Sequence, residues 1–403
     1  MNNKIKNIIV TSVFVCFVAF FAVLCTITHF NPKDYSSVEK RPLAQFPTDA
    51  TWADVLNNKS EVDPETGNVK KSPIAQFGAY VIDQFPFREF FRSLKAHFAM
   101  DVLNMKENNG YAVEEDSIVV VKPSYTEDEL KALNNHLNRV NTTFEQYKNK
   151  FNFKGNVYVS IVPDKNYYFG AQYGYPAPDY EALLESVKGT LSEMEYIDLF
   201  GSLSLEDYYK TDWHWDQSKL DKVVAALGEA MGFEVSGDYK VNELSGFKGG
   251  YYDQSALYPE LETLTYLTND IIDSCTVYEF ATGKTTGFYH HDIFENTENY
   301  TGKVDYDFFM NGRCGIQRID NPTVKNGKTL VVFRDSYGAN ILPLIAEGYE
   351  TVYSIDLRDT VTLMALNQLQ MELGNEGINV DFENADVLFL YSTTVLVSSE
   401  GFK

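Results

Sequence analysis

TLVVFRDSYGANILPLIA, residues 329–346, is the stretch on which the fold of this chain turns. Thr329–Phe333 is a short, unbroken apolar run rich in β-branched side chains, the pattern of a strand buried on both faces. Arg334, Asp335 and Ser336 interrupt it, and apolar residues then recur at helical spacing as far as Ala346. Strand, polar turn and helix in that order place Ser336 at the carboxyl end of a parallel strand, where open α/β sheets bind their ligands.

The same alternation runs outward in both directions. Downstream, strand patterns at 351–355 and 387–391 flank a helical pattern at 360–373. Upstream come a strand at 156–163 (NVYVSIVP), a helix at 180–194, a short strand at 196–199 and a helix at 216–231. Residues 126–149 begin with Thr126 and Glu129 at capping-box spacing, ahead of Leu130, Leu133, Leu137, Val140 and Phe144 on one helical face. A further helix is predicted around 74–105. Apolar strands alternating with helices imply an α/β fold with a mostly parallel sheet covered on both faces. Residues 232–327 break the rhythm, are rich in Gly and Tyr, and are predicted to be an insertion of strands and loops.

The N-terminus differs from everything after it. Residues 7–32 carry no charge, and Ile8–Ile27 reads IIVTSVFVCFVAFFAVLCTI. Twenty helical residues span about 30 Å, the thickness of a hydrocarbon core. No A-x-A-like cleavage site follows, so residues 1–30 are predicted to be a retained transmembrane signal anchor rather than a cleaved signal peptide. Residues 31–75, with five prolines, form an extracytoplasmic stem in this scheme, and 76–403 the main domain. Bases before and after the span are nearly balanced. The short N-terminus nevertheless favours a single pass through the cell membrane with the C-terminal domain outside.

The chain has 403 residues and a net charge of −23; residues 1–30 hold only Lys4 and Lys6, so the remainder stands at −25. That balance opposes nucleic-acid binding, which needs clustered cations. Four cysteines are too few for a disulfide framework. Cys16 and Cys25 lie in the span, and Cys275 and Cys314 are either one bridge or two free thiols.

A serine nucleophile needs a base. Of six histidines, His29 borders the span and His97 and His136 fall on predicted helices. Among the rest, His214 follows Asp212 by two positions, and in extended backbone residues i and i+2 share a side. A carboxylate so placed can hold the imidazole tautomer, as the acid of a catalytic triad does. Trp213 and Trp215 should then point the other way, into the core. His290 and His291 project apart on a strand, so a metal shared with Asp212 and His214 is awkward. No phosphate loop or nicotinamide fingerprint occurs, and no cofactor is expected.

Five ordered segments make a more specific pattern: SSVEKRPLAQFP (36–47), DQFPFREFFRS (83–93), DYYKTDWHW (207–215), TLVVFRDSYGANILPLIA (329–346) and YSIDLRD (353–359). Together they resemble the DHHW family, which is similar to the alginate O-acetylation proteins of the SGNH hydrolase-like superfamily. The resemblance implies a three-layer α/β/α fold and a triad of Ser336 as nucleophile, His214 as base and Asp212 as orienting acid. It implies an O-acetyltransferase or acetylesterase acting on an extracytoplasmic polysaccharide, supplied with acetyl groups by a membrane-bound O-acyltransferase (MBOAT). A polysaccharide-binding protein that keeps the fold without the chemistry is the alternative. Arg358, Arg334, Tyr337 and Asn340 are the candidates for substrate or oxyanion contact. Two departures stand out: Trp213 replaces the first His of the family's motif, and Arg334 replaces the usual Gly before Asp-Ser.

Overall fold

The computed structural model describes residues 3–36, 38–39, 41–62, 69–291, 306–375, 378, 380–399 and 401–402. The chain divides into two compact units, Met1–Met105 with Asp253–Tyr258, and Lys106–Tyr252 with Pro259–Lys403.

In the first unit, helix α1 (Asn3–Phe30) is long and apolar enough to cross a membrane and has no buried residue. Length and composition make it compatible with a single-pass anchor or a signal sequence. Helix α2 (Pro73–Asp83) starts with Ser72 capping the Ala75 N–H and Pro73 in the first turn. The helix expected over 74–105 is broken. Pro86 disfavours helical geometry at Phe85, and Phe87 takes a left-handed φ of 58° before α3 (Arg88–His97) begins. One π-helical stretch, Phe98–Val102, then follows. Two of the five sequence segments meet here. Arg41 forks onto Asp83 at 2.8 and 2.7 Å, and Arg88 reaches Glu39 at 2.5 Å. The Arg41 hydrogen bonds hold the Asp83 carboxyl below its ordinary pKa, against the opposing effect of burial.

The second unit is built on one eight-stranded sheet. Its longer helices are α4 (Glu127–Phe151), α5 (Lys165–Tyr173), α6 (Tyr180–Thr190), α7 (Asp221–Met231), α8 (Tyr337–Ile345) and α9 (Thr362–Glu372). Its strands are β1 (Asn156–Val162), β2 (Glu195–Ile197), β3 (Thr276–Glu279), β4 (Lys284–Thr286), β5 (Ile316–Asp320), β6 (Thr329–Arg334), β7 (Thr351–Ile355) and β8 (Asp386–Ser392). The strand order is β4-β3-β5-β7-β6-β8-β1-β2. The five strands β7, β6, β8, β1 and β2 are parallel.

Side chains alternate across the central strands with period two. Val331, Phe333, Val387 and Phe389 pack with α4, α6 and α9 on one face. Leu330, Val332, Leu388 and Leu390 pack with α7 and α8 on the other. This is the mostly parallel α/β arrangement expected from the sequence. The capping box at Thr126 and Glu129 also forms, each residue bonding the other's backbone N–H.

In its described residues the segment 232–327 holds strands and loops, as expected. It supplies β3, β4 and β5, which extend the parallel sheet antiparallel from β7. Side chains of β3 and β5 alternate between buried and more accessible, and β4 at the sheet edge has none buried, so these strands lack the continuous apolar run that marks β6. Cys275 and Cys314 are buried free thiols, not a bridge. Burial pushes Cys275 up to about 12.

Candidate functional site

β6 ends at Arg334, and the next two residues divide the work of the turn. Asp335 is wholly buried and caps the helix: Oδ1 accepts from the Tyr337 N–H at 2.9 Å, and Oδ2 accepts from the Ser392 N–H and hydroxyl, both at 2.7 Å. The turn is thereby fastened to the end of β8. Ser336, at the N-cap position of α8, makes no side-chain capping bond. Its Oγ instead lies 2.8 Å from His214 Nε2.

His214 Nδ1 is 2.6 Å from Asp212 Oδ1, which also accepts the His214 backbone N–H at 2.9 Å. Asp212 Oδ2 accepts the Gly250 N–H at 2.7 Å. Burial works to raise the Asp212 pKa. The charge and hydrogen bonds of His214, with the two backbone N–H groups, outweigh it and hold the carboxyl below its ordinary value. Asp212, His214 and Ser336 thus form one continuous hydrogen-bonded line, with both members of the Asp–His pair buried.

The loop carrying Asp212 is gripped from two sides. The Glu262 carboxylate accepts the backbone N–H groups of Lys210 and Thr211, each at 2.6 Å. Lys165, buried at the start of α5, donates to the carbonyls of Ile118 and Tyr209 at 2.8 Å, Lys210 at 3.0 Å and Asp212 at 3.1 Å. Burial pushes the Lys165 ammonium down to about 7, while Glu262 and Asp212 pull it up. Replacing it, as in Lys165→Met, strands several buried carbonyls and should cost about 3 kcal/mol of stability. The pH dependence has a definite sign. The folded value lies below the ordinary 10.5, so burying the proton opposes folding most fully below about pH 7. That penalty eases as pH rises toward 10.5, so the deficit of Lys165→Met in chemical denaturation should widen over this window.

Gly249 and Gly250 press against the same loop. A Cβ on Gly249 would sit 2.2 Å from the Thr211 carbonyl oxygen, and one on Gly250 would sit 1.9 Å from the Trp213 ring. The first clash is with backbone, which cannot rotate aside. Gly249→Ala should displace Asp212 and slow reaction at Ser336 by about 100-fold, read as the rate of covalent labelling in folded protein.

The other predicted residues are placed as follows. Trp215 is buried in the expected sense, and its Nε1 donates to Asn340 Oδ1 at 2.5 Å and the Tyr337 carbonyl at 3.1 Å. Asn340 Nδ2 donates back to the Trp215 carbonyl at 3.0 Å, so that side chain ties the His214 loop to α8. Tyr337 is buried, its hydroxyl donating to the Trp213 carbonyl at 2.6 Å. Arg334 is wholly buried, with Nε on Ser354 at 2.9 Å and Nη2 on Gln317 at 3.1 Å. Its stem runs over Gly338, where an added Cβ would meet Arg334 Cβ at 2.7 Å. Arg334 and Asn340 are therefore committed inside the fold. Arg358 forks onto Asp356 at 2.9 and 2.6 Å and is half-buried.

Trp213 differs from expectation. Its indole does not turn from the imidazole but donates to His214 Nε2 at 3.0 Å, the nitrogen that also faces Ser336. Tyr306 was missed by sequence reasoning; its ring stacks on His214 at 3.7 Å and 5°. Among the described residues no group of His, Cys, Asp and Glu could hold a metal ion.

A family model described as DHHW protein matches residues 196–355, which bears out the resemblance read from the motifs. Among solved structures, the chain is similar to a DHHW family protein from Eubacterium siraeum. Identity is 22% and the TM-score 0.54, over 73% of this chain and 94% of that one. It is also similar to Bacillus cereus PatB1 in a structure with a sulfonyl adduct. There identity is 18% and the TM-score 0.51, over 73% of this chain and 97% of the other. These are likenesses of fold. No curated protein matches the chain.

Proposed function

We propose that this protein is an O-acetyltransferase that modifies a polysaccharide outside the cell membrane through an acetyl-serine at Ser336. The observation that carries the proposal is the line from Asp212 through His214 to a serine hydroxyl freed from helix capping. Such a serine is poised to lose its proton to His214 Nε2 as its Oγ attacks an acetyl carbonyl. Collapse of the tetrahedral intermediate breaks the bond to the donor's leaving group, which takes the proton from His214. A sugar hydroxyl then attacks the acetyl-serine, gives its proton to His214, and Ser336 departs with that proton. Water in place of the sugar would make the protein an esterase.

The oxyanion needs donors at the head of α8. The Tyr337 and Gly338 N–H groups already bond Asp335, which leaves the Ser336 N–H as the backbone candidate. Arg358, in the turn after the neighbouring strand β7, is the side chain we assign to substrate contact. A membrane-bound O-acyltransferase is the acetyl source in this proposal.

The adduct described for PatB1 suggests the probe. Phenylmethanesulfonyl fluoride should modify the protein once, at Ser336, by loss of fluoride, and peptide mass spectrometry reads the site. Modification elsewhere, with Ser336 untouched at every concentration, would sink the acyl-serine mechanism.

A further inference from the structure

The first unit exposes large apolar side chains in two stripes. Phe90, Leu94, Phe98 and Val102 recur every fourth residue along α3 and the π-turn, and all four are exposed. Ile74, Phe77 and Val81 form a second exposed stripe, on α2 at helical spacing. Clusters of exposed apolar side chains mark sites of interaction with a protein or a membrane. The charged side chains beside them are paired with one another. Arg88 and Arg92 meet Glu39 at 2.5 and 3.3 Å and Glu89 at 2.7 and 2.5 Å. Basic residues on one face and Phe and Leu on the other are the composition of a helix that lies in a membrane interface.

The contacts with α1 give the depth. Phe21 stacks on Phe85 at 5.8 Å and meets Phe91 at 6.0 Å. Phe21 lies six residues inside Ile27, the end of the apolar run. At 1.5 Å per residue it is about 9 Å below the edge of the hydrocarbon layer when that run spans it. At the end of α1, His29 Nδ1 is 2.7 Å from the Tyr80 hydroxyl, and its ring meets Phe46 at 5.1 Å. Tyr80 is an amphipathic ring at the height where such side chains collect.

We infer that α2, α3 and the π-turn form an amphipathic collar around α1, with their exposed stripes sunk among the acyl chains of the adjoining leaflet. Lipid is the occupant favoured over a second protein, because the stripes continue a surface that already meets α1 at hydrocarbon depth. The first unit is then an embedded footing rather than a solvated stem.

The test uses the full chain with Cys16→Ala and Cys25→Ala, reconstituted in vesicles of phosphatidylethanolamine and phosphatidylglycerol; Cys275 and Cys314 are buried. A nitroxide is introduced through Leu94→Cys or, separately, Phe98→Cys. Its collisions with oxygen, which concentrates in lipid, are compared with those of a water-soluble nickel chelate. Phe14→Cys gives the reference within α1, and Leu261→Cys, at an exposed position of the second unit, gives the aqueous one. Labels at 94 and 98 should favour oxygen several-fold, as the label at 14 does. Nickel accessibility like that at 261 overturns the inference. Shielding from both reagents also overturns it, since another copy of the chain would then cover the stripes.

Discussion

Ser336→Ala is expected to lower acetyl transfer by about 10⁶-fold, to the rate left by binding alone. The change removes one oxygen atom. Asp335, not Ser336, supplies the helix cap, and the Ser336 side chain makes no bond to the α8 backbone. The thermal midpoint should therefore stay within a few degrees of wild type, which separates a chemical loss from unfolding. His214→Ala should cost about as much, and the double variant little more, because serine and base act as one unit. Transfer from an acetyl ester donor to an oligosaccharide, followed by mass spectrometry, measures the effect. Wild-type rates in folded Ser336→Ala would end the acetyl-serine mechanism.

Asp212→Asn should cost about 10⁴-fold while leaving the site in place. Asp212 Oδ1 faces His214 Nδ1, and Oδ2 accepts the Gly250 N–H. An amide cannot satisfy both sides as a carboxylate does. With its oxygen toward Nδ1, its NH₂ confronts the Gly250 N–H. Turned over, it donates to Nδ1, which moves the imidazole proton to Nε2 and leaves no lone pair for Ser336. The carboxyl also leaves a signature in acid. Its pKa in the folded protein is held below the ordinary 3.8, so its contribution to stability is present above that value and lost as pH falls through the depressed one. The stability advantage of wild type over Asp212→Asn should shrink across that acid range in chemical denaturation.

Local patterns carried much of this architecture. The TLVVF run is buried at every position because β6 lies between two strands and two helical layers, and such strands announce themselves by unbroken hydrophobicity. Thr126 and Glu129 specify a cap within four residues of chain. Asp212 and His214 were legible as a pair because a two-residue spacing is itself geometry. Their supports had no such trace. Lys165 and Glu262 reach the loop from 47 and 51 residues away, and Tyr306 comes from a different part of the chain again. A buried lysine holding carbonyls has the same sequence appearance as a solvated one. Gly249 and Gly250 fall in the Gly-rich segment 232–327, and only the approach of Thr211 and Trp213 shows why a side chain is excluded. Sequence placed Trp213 opposite the imidazole by strict alternation, and the turn at 211–214 does not keep that alternation.

Trp213 bears on how an acetyl-serine would partition between its two fates. Once Ser336 is esterified it has no proton to offer, yet the His214 Nε2 lone pair still faces the indole N–H at 3.0 Å. An attacking hydroxyl must compete with that resident donor for Nε2, as Ser336 does, before its own proton can be taken. A stray water, held at one or two points, competes poorly. A sugar hydroxyl delivered by a chain bound along its length brings the interaction energy to do so. On the proposed mechanism the indole therefore acts as a kinetic filter, lengthening the life of the intermediate until an acceptor arrives.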